Sequence, residues 1–145
     1  MYKIKLLILS LISIIFFSCS NKEFNSTFGA YPVHFITNIP PGCLKRREIN
    51  LRNVGFKFDS ARCAGFINYD DHPAKTKADV IKELNQEGAG VLFVDDHPDN
   101  CLNVREAFPD AEIWLMSRPF NSNFQHPKIR RANLGRSNRD QPDRH

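Results

Sequence analysis

The chain has no C-x-x-C pair, no apolar run long enough to cross a bilayer, no aromatic residue among its C-terminal charges, and no aspartate before Asp59. Each absence excludes something. Cys19, Cys43, Cys63 and Cys101 lack the paired spacing of a zinc site, and the three after Cys19 leave one over from any single disulfide. Ordinary thiols are the default reading. The longest apolar run, LLILSLISIIFF, has twelve residues, where a spanning helix needs about 20. The last eighteen residues (KIRRANLGRSNRDQPDRH) carry six Arg or Lys against two Asp, with no ring to stack on a base. Nucleic acid is therefore not an expected partner, and a solvated, frayed terminus is the plainer reading.

What is present suits one soluble domain with its own core: 145 residues, 41% apolar and 25% charged. The net charge of +4 sits at the two ends, since residues 19–127 hold twelve basic against fourteen acidic side chains. MYKIK, the apolar run and then FSCS make the pattern of a secretory signal. Cys19 after Ser18 resembles a bacterial lipobox, from which Phe16 and Phe17 depart. The expectation is an exported protein anchored in the bacterial envelope, with the membrane as partner through lipid on Cys19, or else plain secretion. The chain divides into a signal segment (1–19), a polar linker (20–31), an α/β domain (32–120) and a basic, disordered tail (121–145).

From residue 33 a rhythm begins. VHFIT (33–37), CAGFINY (63–69), GVLFV (90–94) and AEIWLMS (111–117) read as strands. Between them LKRREINLRNVGF places Leu44, Ile49, Leu51 and Val54 near one helical face, with Gly55 as a stop. AKTKADVIKELNQEG is a strong helix, in which Thr76 can cap, Asp79 lies three residues on and Gly88 can end it. NCLNVREAF is a further helix, stopped by Pro109. Alternation of this kind predicts a Rossmann-like three-layer α/β sandwich with a mostly parallel sheet. Ligands in such sheets sit outside the carboxyl ends of the strands. Thr37, Asp70 and Asp71, and Asp95 and Asp96 all fall at that edge.

Two of these junctions read alike, AGFINYDDHP (64–73) and AGVLFVDDHP (89–98), with six identities in ten. AKTKADVIKEL has no counterpart after the second, so the echo is no structural repeat. Adjacent carboxylates after a buried strand repel and lose hydration, and a divalent cation relieves both costs. The histidines of both copies precede proline and have no partner at metal-ligand spacing, so His72 and His97 read as surface residues.

Three segments in order then carry a resemblance: VHFITNIPPG, KTKADVIKEL and VLFVDDHPDN. Together they resemble the haloacid dehalogenase (HAD) superfamily of phosphohydrolases, its acid-phosphatase-like members above all, over about residues 32–120. The resemblance implies a magnesium-dependent phosphatase acting on a phosphorylated small molecule. It makes Thr37 the phosphate-contacting hydroxyl and Lys77 the cationic partner, with Lys75 as the alternative lysine. It assigns Asp95 and Asp96 to the Mg2+ ion and gives Asn100 a supporting role. Asp70 and Asp71 fall in a variable loop and are expected to be exposed.

The family's nucleophile is the first Asp of a D-x-D motif after a first strand that lies centrally in the sheet. With no aspartate before Asp59, that central first strand reads as missing and the catalytic nucleophile as absent. Three accounts follow: a truncated or degenerate relative, a non-enzymatic descendant that binds a ligand or partner, or a chain in which IKLLILSLISII itself fills the central position. The rival from another class is an exported, non-enzymatic interaction protein using the sheet edge or the basic tail. A Ser-His-Asp or Cys-His hydrolase is weaker, because Cys43 and Cys101 follow strands without a marked base.

Overall fold

The computed structural model describes residues 5–10, 25–26, 31–64 and 75–132, and of residues 5–10 the backbone alone. Six strands form one sheet: β1 (Lys5–Ser10), β2 (Val33–Thr37), β3 (Ser60–Cys63), β4 (Gly90–Asp95), β5 (Glu112–Met116) and β6 (Arg130–Ala132). The helices are α1 (Pro41–Asn53), α2 (Lys77–Leu84) and α3 (Pro98–Ala107), with a 3-10 turn at Pro119–Asn121. The strand order is 3-2-1-4-5-6 and every pairing is parallel. This is the doubly wound α/β arrangement, with its switch point between β1 and β4.

Period-2 alternation divides the core between the two faces. Val91 and Phe93 of β4 join Ile36, Ile113 and Leu115 under α2 and α3, where Ala78, Val80, Ile81, Cys101 and Val104 are buried. Leu92 and Val94 join Val33, Phe35 and Met116 on the other face, where α1 contributes Leu51. Helices on both faces explain why β4 reads as an unbroken apolar run.

The central position is filled. Leu9 of β1 pairs with Phe35 on one side and Val94 on the other. The expectation of a missing first strand is thereby corrected, and the filler is Lys5–Ser10, the first part of the segment read as an export signal. The physical reason is that a Leu/Ile-rich run serves equally as a signal core and as a strand buried on both faces. Without it, β2 and β4 would each leave a row of buried backbone groups unpaired.

Three further readings shift. The second strand begins at Ser60 rather than Cys63, and residues 65–69 lie outside the described residues. In α1, Leu51 is buried while Ile49 and Val54 are exposed, so the helix presents a narrower apolar stripe than its sequence suggested. The domain does not stop at 120, because β6 pairs with β5 through Trp114 and Arg130, Leu115 and Arg131, and Met116 and Ala132. Asp70, Asp71, His72 and Cys19, the linker up to residue 24, and residues 133–145 lie outside the described residues. Among the described residues no helix is long and apolar enough to cross a membrane.

Candidate functional site at the carboxyl edge of the sheet

The site begins with a helix cap. Thr76 Oγ1 accepts from the Asp79 backbone N–H at 3.2 Å, and the Thr76 N–H donates to Asp79 Oδ2 at 3.0 Å. This reciprocal box satisfies two orphan amides and holds the first turn of α2. The Thr76 amide and then its hydroxyl hold the Asp79 carboxyl below its ordinary pKa. Ala78, Val80 and Ile81 seat the helix on the sheet, and Lys77, its first residue, is buried at 4% exposure.

Asp95 ends β4 beside the switch point and is 1% exposed. Its Oδ2 accepts from Lys77 Nζ at 2.7 Å and from Asn100 Nδ2 at 3.2 Å, and its Oδ1 accepts from the His97 backbone N–H at 2.9 Å. Pro98, opening α3, pre-sets the turn that brings this amide back toward the strand end. Three donors therefore compensate one deeply buried carboxylate, as a buried charge requires.

Asp96 is different. It is also buried, but the cation facing it is Arg118, whose Nε lies 3.8 Å from Oδ2, beyond hydrogen-bond distance. Burial and then the negative charge of Asp95 push the Asp96 carboxyl above its ordinary range, and Arg118 opposes them. The Asp96 backbone carbonyl accepts from Asn121 Nδ2 at 2.7 Å, and the same amide donates to Met116 O at 2.8 Å. Asn121 Oδ1 accepts from the Arg118 backbone N–H at 3.0 Å and from Arg131 Nη1 at 3.1 Å. Arg131, on the edge strand β6, also donates to Ser117 Oγ at 3.4 Å, Phe124 O at 2.5 Å and the Asn121 carbonyl.

The structure brings Lys77, Asp95, Asp96 and Asn100 together. Lys75 lies apart, exposed and paired with Glu83 at 2.5 Å, so Lys77 is the lysine of the cluster. Thr37 ends β2 at the same sheet edge, two strands from β4, or roughly 10 Å at ordinary strand spacing. Its hydroxyl is buried and has no hydrogen-bond partner among the described residues. A buried, unsatisfied hydroxyl at a ligand-binding edge is what an absent acceptor would relieve. His97 is exposed, as its surface reading had it.

Sequence reasoning missed Arg118, Asn121 and Arg131. The local signal was R-P-F-N, in which proline pre-sets a turn and Asn three residues after Arg can reach back to its amide. No spacing rule links Arg131 to that turn.

The donor set fits a hard divalent cation. Asp95 and Asp96 offer oxygen alone, Asp95 keeps acceptor capacity beyond its three bonds, and a cation would offset both the burial and the neighbouring Asp95 charge that raise the Asp96 pKa. Magnesium characteristically takes one or two carboxylates and completes its sphere with water and phosphate oxygens. The described residues hold no group of three or more His, Cys, Asp or Glu side chains poised for a metal, so two protein carboxylates are the set on hand.

Among the described residues other nucleophile arrangements do not form. Burial, and next the charge of Asp95, push the Cys101 thiol far up, which keeps it protonated and unreactive. Cys43 is exposed. His34 Nδ1 lies 2.6 Å from Ser60 Oγ, but Asp59 Oδ2 accepts from the Val33 backbone N–H at 2.7 Å instead of orienting the imidazole. The pair is a cross-strand contact between β2 and β3 at the start of both strands, away from the Asp95 edge.

Comparison with protein-family models, with curated proteins and with solved structures finds no match to this chain.

Proposed function

We propose that this chain is a HAD-like phosphatase relative that binds a phosphomonoester together with a divalent cation but does not turn it over. The carrying observation is the buried Lys77–Asp95 pair, 2.7 Å apart, with Asp96 beside it at the carboxyl edge next to the switch point. Phosphoryl oxygens spread negative charge, which the Lys77 ammonium meets from one side and the Thr37 hydroxyl meets by donating a proton into a hydrogen bond. Asp95 and Asp96 would hold the cation, which supplies charge neutralisation at the phosphate.

Transfer needs a nucleophile on the central strand, and β1 ends in Ser10, with no carboxylate before Glu23. A serine hydroxyl is by itself a poor nucleophile at neutral pH. Binding without hydrolysis is the consequence.

The test is calorimetric titration of the full chain with inorganic phosphate, with and without Mg2+, beside a phosphomonoester hydrolysis assay. Magnesium-dependent phosphate binding, lost in Asp96→Asn, with no turnover, supports the reading. Metal-independent ligand binding that disappears on deleting residues 133–145 would instead favour an interaction protein working through its basic tail.

A further inference from the structure

We infer that Cys43 and Cys63 are a thiol–disulfide pair, which a small disulfide such as glutathione disulfide oxidises to a bond tying the first turn of α1 to the end of β3. The inference does not depend on the function proposed above.

Three observations place the two thiols together. First, Cys63 stands on the α1 face of the sheet. In the parallel register of β2 with β3, Phe35 lies opposite Ala61 and Thr37 opposite Cys63. Phe35 and Ala61 pack in one cluster with Leu51 of α1, and side chains two apart on a strand share a face. Arg62, between them, pairs with Glu83 of α2 at 3.7 Å on the other face.

Second, Cys43 lies at the matching end of the helix. Residues 38–40 alone join the end of β2 to α1, which keeps the first turn at the carboxyl edge where β3 also ends. The helix packs against β3, and Cys43 is in that first turn. It precedes the buried Leu51 by eight residues. At 3.6 residues per turn that is about 80° round the helix from a side chain that faces the sheet.

Third, the two sulfurs sense each other. Burial and then the charge of Cys43 push the Cys63 thiol above its ordinary value. Cys101, the remaining described cysteine, is buried on the opposite face under α2 and α3.

Exposure sets the order of events, since Cys43 is exposed and Cys63 half-buried. The Cys43 thiolate attacks one sulfur of glutathione disulfide, forming a mixed disulfide and releasing one glutathione thiolate. Cys63 loses its proton to solvent and attacks Cys43 Sγ, and the second glutathione leaves as thiolate. Two protein thiols are oxidised, one small disulfide is reduced to two thiols, and the protons released balance the thiolates formed. The bond closes a loop of about twenty residues, whose freedom in the unfolded chain it removes.

The experiment equilibrates the full chain in glutathione redox buffers, once folded and once in urea, followed by alkylation of free thiols and peptide mapping. In the folded chain Cys43–Cys63 is expected to be the dominant bridge. Its effective concentration should exceed that in urea by at least about tenfold, because the fold and not the chain holds the thiols together. Cys63→Ser should stop at the mixed disulfide on Cys43, and Cys43→Ser should leave Cys63 largely reduced. Glutathione adducts without a bridge, a bridge to Cys19 or Cys101 instead, or an effective concentration equal in urea overturns the inference. The unaltered chain decides this alone, so a variant that fails to fold does not leave the matter open.

Discussion

Lys77 and Asp95, eighteen residues apart in sequence, meet at 2.7 Å where the first turn of α2 crosses the end of β4, and both are almost wholly buried. A buried pair is strongly destabilising to break one-sidedly, because the survivor is left charged without its partner. Lys77→Met is expected to lower stability by about 3 kcal/mol, and Asp95→Asn by a similar amount. The double variant should recover much of that loss. Urea denaturation of all four proteins measures the coupling, and additive losses would show that the two side chains do not depend on each other.

The central strand makes its own prediction. Ile8 pairs with His34 on one side and Phe93 on the other, so Ile8→Pro removes a ladder donor in the middle of the sheet. Cooperative thermal unfolding should be lost in Ile8→Pro and in a chain starting at residue 20. Export and lipidation at Cys19 are a competing proposal for the same segment, since cleavage there removes β1. Intact mass of the protein isolated from its host decides between them, and a cooperative fold in the chain starting at residue 20 would show that β1 is dispensable.

Burial on α1 is uneven. Leu51 is 7% exposed under the Phe35 face of the sheet, while Ile49 is 48% exposed. Leu51→Ala should cost about 2–4 kcal/mol and Ile49→Ala no more than about 0.5. Equal losses in denaturant midpoints would mean that α1 packs through a different face.

A capping test addresses the start of α2. Thr76→Ala removes the acceptor for the Asp79 amide and should cost about 1 kcal/mol. Because that turn presents Lys77, the same substitution should weaken phosphate binding in calorimetry. Stability lost with affinity unchanged would separate the cap from the site.

The pH dependence has a readable sign at His34. Burial holds its imidazole below the ordinary value, Asp59 opposes that and Arg62 adds to it. The folded chain therefore resists a proton that the unfolded chain takes up near pH 6.5, at about the ordinary histidine value. This contribution is fully present above that pH and declines as pH falls toward the lower folded value. His34→Gln should flatten the fall in urea midpoint between about pH 7.5 and 5.5, and parallel curves for the two proteins would count against it.

Much of the architecture is legible in the chain because it rests on local physics. VHFIT and GVLFV reappear as β2 and β4 with nearly the same bounds, since apolar β-branched runs between turn signals have few other uses. Thr76 and Asp79 form the box that their spacing predicts, because a cap is a contact within one turn. The carboxylates at the end of β4 lie at the sheet edge where a parallel α/β order puts ligands.

Tertiary structure alone decided the rest. Whether Lys75 or Lys77 meets Asp95 depends on how α2 crosses β4, since Lys75 precedes the Thr76 cap and Lys77 opens the helix. IKLLILSLISII satisfies the demands of a signal core and of a central strand equally. Only the open positions beside β2 and β4 give its first half a place in the sheet. Arg131 reaches Asn121 and Phe124 because β6 adds to the sheet beside β5, a pairing with no local signature in a segment that reads as a basic tail. Contacts within a turn or a strand are encoded by spacing, whereas contacts between strands distant in sequence exist only once the sheet has assembled.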